Sequence, residues 1–207
     1  MTVKPDLARW NERFSTADYL FGTAPNAFLE SQKHLLRPGQ RALAIADGEG
    51  RNGVWLAEQG LDVLAIDFSP VALEKSRRLA ASRGAKLRTQ EADLRDYAWE
   101  AEQFDVVVAI FIQFAPPPLR ATIFDGIRRT LAPGGLLVMQ GYRPEQLGYG
   151  TGGPPHAENM YTSEMLRAAF AGFEILHLEE HDSPIAEGSG HHGMSALVDL
   201  VARRPRD

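Results

Sequence analysis

The residues with the clearest chemical pattern lie between positions 41 and 70, where a glycine-rich turn joins two apolar runs. Residues 42–46 lead into Gly48-Glu49-Gly50, a helical pattern follows, and the second run ends at Asp67. Glycines let a backbone approach a ligand closely, and a helix start offers unpaired N–H groups and a positive dipole. An acid ending the next strand, 19 residues after Gly48, can accept hydrogen bonds from both hydroxyls of a ribose. We therefore expect a ligand with an adenosine-like ribose here.

The same glycines also fit a different class of protein. Gly48, Gly50 and Gly53 satisfy the G-x-G-x-x-G spacing of dinucleotide-binding folds, so a nicotinamide-dependent oxidoreductase is an alternative. Taken alone, that spacing has low specificity because glycines also form tight turns. The chain leaves no segment for a separate domain that would hold a hydride acceptor, which argues against this alternative.

Composition limits the partners that the protein is expected to have. The 207 residues fit one domain, and the net charge of −5 gives no indication of nucleic acid or an anionic membrane as partner. The absence of cysteine excludes disulfides and thiolate metal ligands. The N-terminus has no apolar signal core and no apolar run reaches membrane-spanning length, so we expect a cytoplasmic protein. The oligomeric state is not indicated.

The apolar runs and their boundaries predict an α/β fold. Strands are predicted near residues 42–46, 63–66, 86–91, 104–112 and 136–139. Helices are predicted between them, one with Ser69 as N-cap and Pro70 in its first turn. Another follows Thr162, and residues 173–181 and 195–204 are expected to pair antiparallel across a long loop rich in glycine and histidine. Five parallel strands with crossover helices and a final strand pair predict an open α/β sandwich.

The N-terminal segment, residues 1–36, is helical in pieces that break near residues 21–26. Trp10 and Phe14 are four residues apart, which is typical of a helix packed on the sheet. Phe21 and the Gly- and Pro-containing residues after it fit a lid that orders over a ligand and excludes water. We therefore interpret the chain as a single domain, 1–207, with a lid segment at 1–36 and an α/β core at 37–207.

Five motifs in this order resemble those of a class I S-adenosylmethionine-dependent methyltransferase. The similar motifs are Gly48-Glu49-Gly50-Arg51-Asn52, Asp67-Phe68-Ser69-Pro70, Asp93-Leu94, 104–108 and 131–135. The resemblance runs from about Trp10 to Arg204. It implies a doubly wound, mostly parallel seven-stranded sheet of the Rossmann-like methyltransferase fold, with helices on both faces and S-adenosyl-L-methionine as cofactor. It also implies cofactor contacts by Asn52 in the turn, by Asp67 to ribose, by Phe68 beside adenine, and by Asp93 with Leu94 at the adenine amino group.

Three segments resemble, more narrowly, the branch related to tellurite-resistance and thiopurine methyltransferases. They are Trp10-Asn11-Glu12-Arg13-Phe14 with 21–26, the Gly48-Glu49-Gly50-Arg51-Asn52 form of the turn, and residues 187–193. Members of that branch methylate soft nucleophiles. The resemblance implies a small-molecule acceptor, such as a thiol, selenium or tellurium species.

The chain departs from the family pattern at three positions before the turn. The family commonly has an acid where Ala44 stands, a glycine at Ala46 and often a cysteine at Asp47. We hypothesise that Asp47 supplies the acidic group near the amino end of the cofactor. The departures leave a second alternative, a protein that binds S-adenosylmethionine without catalysis.

Residues after the strands are the candidates for the remaining contacts. Ile110, at the end of the central strand, is expected to touch the adenine or methionine part of the cofactor. The acceptor-side candidates are Phe21, Gln113, Tyr142, Arg143 and His191. Arg143 could hold an oxyanion, and His191 or His192 could orient or deprotonate a nucleophile. No metal is expected, because the histidines lack cysteines or a clear carboxylate partner.

Overall fold

The apolar runs of the sequence become the strands of one sheet. The computed structural model describes residues 5–206; the first four residues of the predicted lid segment and the last residue of the predicted core lie outside that range. The strands are β1 (Arg41–Ile45), β2 (Asp62–Asp67), β3 (Leu87–Glu91), β4 (Phe104–Ile110), β5 (Leu131–Tyr142), β6 (Glu174–Glu187) and β7 (His191–Arg203).

Helices precede the sheet and connect its strands. They are α1 (Pro5–Phe14), α2 (Ala27–Ser31), α3 (Arg51–Glu58), α4 (Pro70–Ser82), α5 (Pro117–Thr130), α6 (Gln146–Tyr149) and α7 (Ser163–Ala169), with short 3-10 helices at Gln32–Leu35 and Ala157–Asn159. Among residues 5–206, none of the helices has the length and apolar content needed to cross a membrane.

The strand order is β3-β2-β1-β4-β5-β7-β6, and the predicted doubly wound, mostly parallel seven-stranded sheet with an antiparallel final pair is confirmed. Strands β1 to β5 are parallel, and β7 lies antiparallel between β5 and β6. The order reverses between β1 and β4. In open α/β sheets, such a reversal leaves a crevice at the carboxyl ends of the two strands, where ligands bind.

Both faces of the sheet are buried, which explains the nearly continuous apolar runs. Along β1, Ala44 packs in the core cluster that contains Trp55 of α3, whereas Leu43 packs in the cluster that contains Ile123 of α5. Alternate side chains of one strand therefore anchor helices on opposite faces. The sheet therefore lies between two layers of helices.

Two predicted helix starts are confirmed. The hydroxyl of Ser69 accepts a hydrogen bond from the backbone N–H of Ala72, and Pro70 occupies the first turn of α4. The hydroxyl of Thr162 accepts from the N–H of Met165 at the start of α7. Both caps satisfy N–H groups that a helix leaves without internal partners.

The prediction of a long loop between the last two strands was wrong. Strand β6 extends to Glu187, β7 begins at His191, and only residues 188–190 connect them. The ladder continues to the pair Glu187–His191, because Gly188 has a positive φ of 66° that closes a tight turn. The glycine- and histidine-rich composition suggested a loop, but the backbone ladder between β6 and β7 continues through most of these residues.

Candidate cofactor and acceptor site

The glycine turn lies between β1 and α3, at the crevice where the strand order reverses. Gly48 and Gly50 have φ of 58° and 92°, in the left-handed region that favours glycine. A Cβ added to Gly50 would lie 2.3 Å from the hydroxyl of Ser76 on α4. Ala46, where the resembled family has glycine, also adopts a positive φ, of 47°. The chain therefore makes the turn despite the departure, with local strain at one alanine.

Asp67 joins the end of β2 to this turn. Its Oδ2 accepts from the N–H of Gly48 at 2.9 Å, and its Oδ1 accepts from the N–H of Ser69 at 2.8 Å. Burial raises the pKa of Asp67 to about 6, against the lowering effect of these backbone bonds. Carboxylate oxygens have further lone pairs, so these contacts orient Asp67 and leave capacity for hydroxyl donors. The structure thus brings together the two features that the sequence singled out.

Asp47 lies beside the same turn. Both of its carboxylate oxygens accept from the N–H of Gly53 at 3.1 Å, and a Cβ on Gly53 would lie 2.5 Å from Oδ2. Burial raises the pKa of Asp47 to about 7, and the charge of Asp67 contributes. Two neighbouring carboxylates in a poorly hydrated turn favour a cationic ligand.

Glu49, between the two glycines, is a functional candidate that the sequence reasoning missed. It is buried, forms an ion pair with Lys75 of α4, and accepts from the N–H of Leu20 at 2.7 Å. The Lys75 ammonium also donates to the carbonyls of Thr16 and Asp18 at 3.0 and 2.6 Å. This buried pair fastens the N-terminal segment onto the turn. An acid enclosed by glycines in a ligand-binding turn was the only sequence signal for it.

The N-terminal segment packs against the turn. The ring of Phe14 is the nearest group to a Cβ built on Gly48, at 3.7 Å. Asn11 Oδ1 accepts from the hydroxyl of Ser69 at 2.6 Å. Phe21 packs on Phe14 with ring centroids 6.4 Å apart. The aromatic residues of the segment therefore cover the turn.

The predicted cofactor residue Asn52 contacts the N-terminal segment. Its Oδ1 accepts from the backbone N–H of Asn26 at 2.9 Å. The Asn26 amide in turn donates to Gln140 at 2.7 Å and to Glu187 at 2.8 Å, while its oxygen caps α2. Glu187 also pairs with Arg51 at 2.7 Å. This buried network joins the turn, the segment and the β6–β7 hairpin, and the sequence reasoning missed Asn26, Gln140 and Glu187 as members.

The other predicted cofactor residues lie at or just after the carboxyl ends of β2, β3 and β4. Phe68 follows Asp67 and is half-buried, while Leu94 and Ile110 are buried. Asp93 forms a bidentate ion pair with Arg95 at 2.5–2.9 Å. An adenine amino group could approach Asp93 only by sharing or displacing that guanidinium.

His191, one of the predicted acceptor contacts, lies among aromatic rings. It is 9% exposed, and its ring centroid is 4.4 Å from those of Phe21 and Phe111 and 5.9 Å from that of Tyr142. Burial lowers the pKa of His191 below its ordinary 6.5, so the ring is neutral at pH 7. His192, next on the strand, is exposed and points to the opposite side. Of the two histidines, only His191 belongs to this cluster.

Tyr142 contributes a polar atom with no partner among the described residues. The side chain is 1% exposed and its hydroxyl is buried without a hydrogen bond. Burial, together with the charge of Glu187, raises its pKa well above 10. A buried hydroxyl without a partner is costly, and a ligand that paired with it would remove that cost.

Two predicted acceptor contacts have partners within the protein. The Gln113 amide donates to the carbonyl of Tyr142 at 2.7 Å and accepts from its N–H at 2.6 Å, which fixes the end of β5. Arg143 forms ion pairs with Asp182, with Glu145 at 3.6 Å and with Glu180 at 3.8 Å. With three carboxylates around it, Arg143 is poorly suited to hold an oxyanion. Within residues 5–206, no three metal-ligating side chains are grouped to hold an ion.

Comparison with known proteins identifies the region that carries this site. Residues 42–135 match the family described as methyltransferase domain. The match includes the glycine turn, Asp47, Asp67 and Asp93. An uncharacterised protein of Mycobacterium tuberculosis is 35% identical over 101 residues, which are 48% of this chain and 36% of that protein. The chain therefore spans about a third of the length of the first curated relatives that it matches.

Solved structures share the fold over nearly the whole chain. TehB from Haemophilus influenzae has a TM-score of 0.72 at 15% identity, covering 96% of this chain and 66% of that one. The N-methyltransferase NodS from Bradyrhizobium japonicum WM9, in complex with S-adenosyl-L-homocysteine, has a TM-score of 0.70 at 15% identity and covers 98% and 100%. Residues 42–135 are therefore similar to a methyltransferase domain, and the chain shares the fold of these solved structures.

Proposed function

We propose that this protein transfers the methyl group of S-adenosyl-L-methionine to a small-molecule nucleophile. The observation that carries the proposal is the contact between Asp67 and the Gly48 turn, at the crevice between β1 and β4 and within the matched methyltransferase region. The sulfonium methyl group is already activated for in-line displacement. The protein's main contribution is therefore alignment of the two reactants, worth up to about 7–11 kcal/mol in well-oriented systems.

The cofactor contacts follow from the chemistry of the crevice. Asp67 accepts from the ribose hydroxyls, and Asp47 faces the cationic amino end of the cofactor. Phe68, Ile110 and Asp93 with Leu94 surround the adenine. Both buried carboxylates suit the cofactor, which carries positive charge on its sulfonium and its ammonium.

We further propose that the acceptor is a soft nucleophile, such as a thiol, selenium or tellurium species. Support comes from the sequence resemblance to the tellurite-resistance and thiopurine methyltransferase branch, and from the aromatic rings grouped around His191. The rings of Phe21, Phe111 and Tyr142 surround His191 and would give an acceptor dry surroundings. A soft nucleophile needs little proton removal, and a dry pocket favours dispersal of the sulfonium charge.

The decisive experiment joins cofactor binding to methyl transfer. S-adenosylhomocysteine and NADH are titrated separately by calorimetry, and labelled S-adenosylmethionine is then screened against thiols, selenite, tellurite, phenols and amines, with products identified by mass. The proposal expects binding of the first ligand alone and a methylated soft acceptor. NADH binding favours the oxidoreductase, and cofactor binding without any product favours a non-catalytic binding protein.

Several predictions from the sequence concern the protein's surroundings. A cytoplasmic location and the absence of nucleic-acid and membrane partners rest on composition and hydropathy alone. They stay predictions, as does the division into a lid segment and an α/β core.

A further inference from the structure

The tip of the β6–β7 hairpin fits closely against the N-terminal segment. The N–H of Gly190 donates to the carbonyl of Leu20 at 2.9 Å. A Cβ added to Gly188 would lie 2.4 Å from that carbonyl oxygen, and one added to Gly190 would lie 2.4 Å from the ring of Phe21. Only glycine permits this approach at both positions, so the tip and the segment form a specific contact.

Glu187 is the charged anchor of this tip. Its Oε1 accepts from Asn26 Nδ2 at 2.8 Å and from the N–H of Ala27 at 3.3 Å. Its Oε2 accepts from Arg51 at 2.7 Å and lies 3.6 Å from His191 Nδ1. One carboxylate therefore joins the N-terminal segment, the start of α3 after the glycine turn, and the acceptor-side strand β7.

The surroundings of Glu187 keep it ionised. Its side chain is 9% exposed. Burial disfavours the negative charge of Glu187, but the interactions of its carboxylate with the His191 ring and with the positive charge of Arg51 outweigh burial. Together they lower the pKa of Glu187 to about 2. Neutralising this carboxylate would leave the largely buried Arg51 without its counter-charge.

We propose that Glu187 is a positioning residue that, with the hairpin tip, latches the N-terminal segment over the cofactor turn. The inference rests on the proposed function in one respect, which is that the turn holds S-adenosylmethionine. In the latched state, the segment covers the cofactor and completes the aromatic wall through Phe21. Release of the latch opens the route by which cofactor and product exchange. Glu187 acts through the segment and touches no reacting atom.

Two substitutions test the latch, and a third is a matched control. Glu187→Gln keeps the shape and removes the charge. Asn26→Asp keeps the oxygen that caps α2 but replaces the amide donor with an oxygen facing Glu187. Glu174→Gln makes the same chemical change at the far end of β6, where Glu174 is exposed and pairs with Arg203.

The first measurement is amide hydrogen exchange of the full chain, followed by mass spectrometry. Both latch variants are expected to exchange about tenfold faster at residues 20–27, the change expected when one charge-assisted hydrogen bond is lost from the closed state. Strands β4, β5 and β7 should keep wild-type protection, and Glu174→Gln should match the wild type throughout. If Glu187→Gln does not fold, exchange at residues 20–27 in Asn26→Asp decides whether the latch exists.

The second measurement is the dissociation rate of S-adenosylhomocysteine, which should rise about tenfold in the latch variants for the same reason. Wild-type exchange at 20–27 in both variants overturns the latch, and equal acceleration across the whole sheet shows a general structural role instead. If the wild type does not bind S-adenosylhomocysteine, the proposed function fails, while the exchange data still decide whether the latch exists.

Discussion

Asp67 combines a contact that shapes the turn with a proposed contact to the ligand. One substitution, compared with a control at an exposed aspartate, tests the second contact. Asp67 braces the turn through Gly48, and it is proposed to bind the ribose. We expect Asp67→Ala to weaken S-adenosylmethionine binding about tenfold or more, because charged hydrogen bonds are each worth about 1.5–3 kcal/mol. Calorimetric titration gives the affinity. Asp62→Ala is the control, since Asp62 is exposed at the start of the same strand and should leave affinity unchanged. Unchanged affinity in Asp67→Ala refutes the ribose assignment.

The raised pKa values of Asp47 and Asp67, about 7 and about 6, predict a pH-dependent affinity. As pH rises from 5.5 to 8, both groups ionise in the empty site, so binding of the cationic cofactor should strengthen. The free energy of unfolding of the empty protein should change in the opposite sense. Groups with a raised folded pKa bind protons more tightly when folded, so their contribution falls as pH rises from near 4 to about 7.

Calorimetric titration at pH 5.5 and at pH 8 measures the change in cofactor affinity. Asp47→Asn should flatten the upper part of the profile, near pH 7, because Asn does not titrate. An affinity that is independent of pH in the wild type would show that neither carboxylate faces the charged part of the cofactor.

At the scale of elements, the turn after β1 includes one strained residue. Ala46 has a φ of 47°, and this left-handed conformation costs about 1–2 kcal/mol for a residue with a Cβ. Part of the gain from Ala46→Gly is offset by the greater freedom of glycine in the unfolded chain. We expect a net increase of about 0.5–1 kcal/mol in the free energy of unfolding, measured by urea denaturation. A decrease would mean that the alanine methyl group makes packing contacts that outweigh the strain.

Helix α4 holds the N-terminal segment through Lys75, whose ammonium donates to the carbonyl of Thr16. The same ammonium pairs with Glu49 of the glycine turn. Removing one partner of a buried pair leaves an uncompensated charge, so Lys75→Met should lower the free energy of unfolding by about 3–5 kcal/mol. Chemical denaturation measures this loss. The double variant with Glu49→Gln should lose clearly less than the sum of the two single variants, because the pair acts as a unit. Strict additivity would contradict the coupling.

At the scale of the whole molecule, strand order determines where chemistry can occur. The reversal between β1 and β4 places the glycine turn, Asp67 and Ile110 at one crevice, although they come from three strands. The antiparallel β7 then brings His191 beside Phe111, which follows β4. In the proposed function, the parallel strands supply the cofactor contacts and the final hairpin supplies acceptor contacts, so a single sheet would place both reactants.

The sequence by itself determined the order of strands and helices and the position of the glycine turn, because these depend on local patterns. Apolar runs define strands, Ser69 and Thr162 define helix starts, and the spacing from Gly48 to Asp67 follows from one strand–turn–helix–strand unit. Only the tertiary structure showed the partners of Glu187, Lys75, Gln113 and Arg143. Those contacts join residues far apart in the chain, and no local periodicity encodes which buried charges will meet.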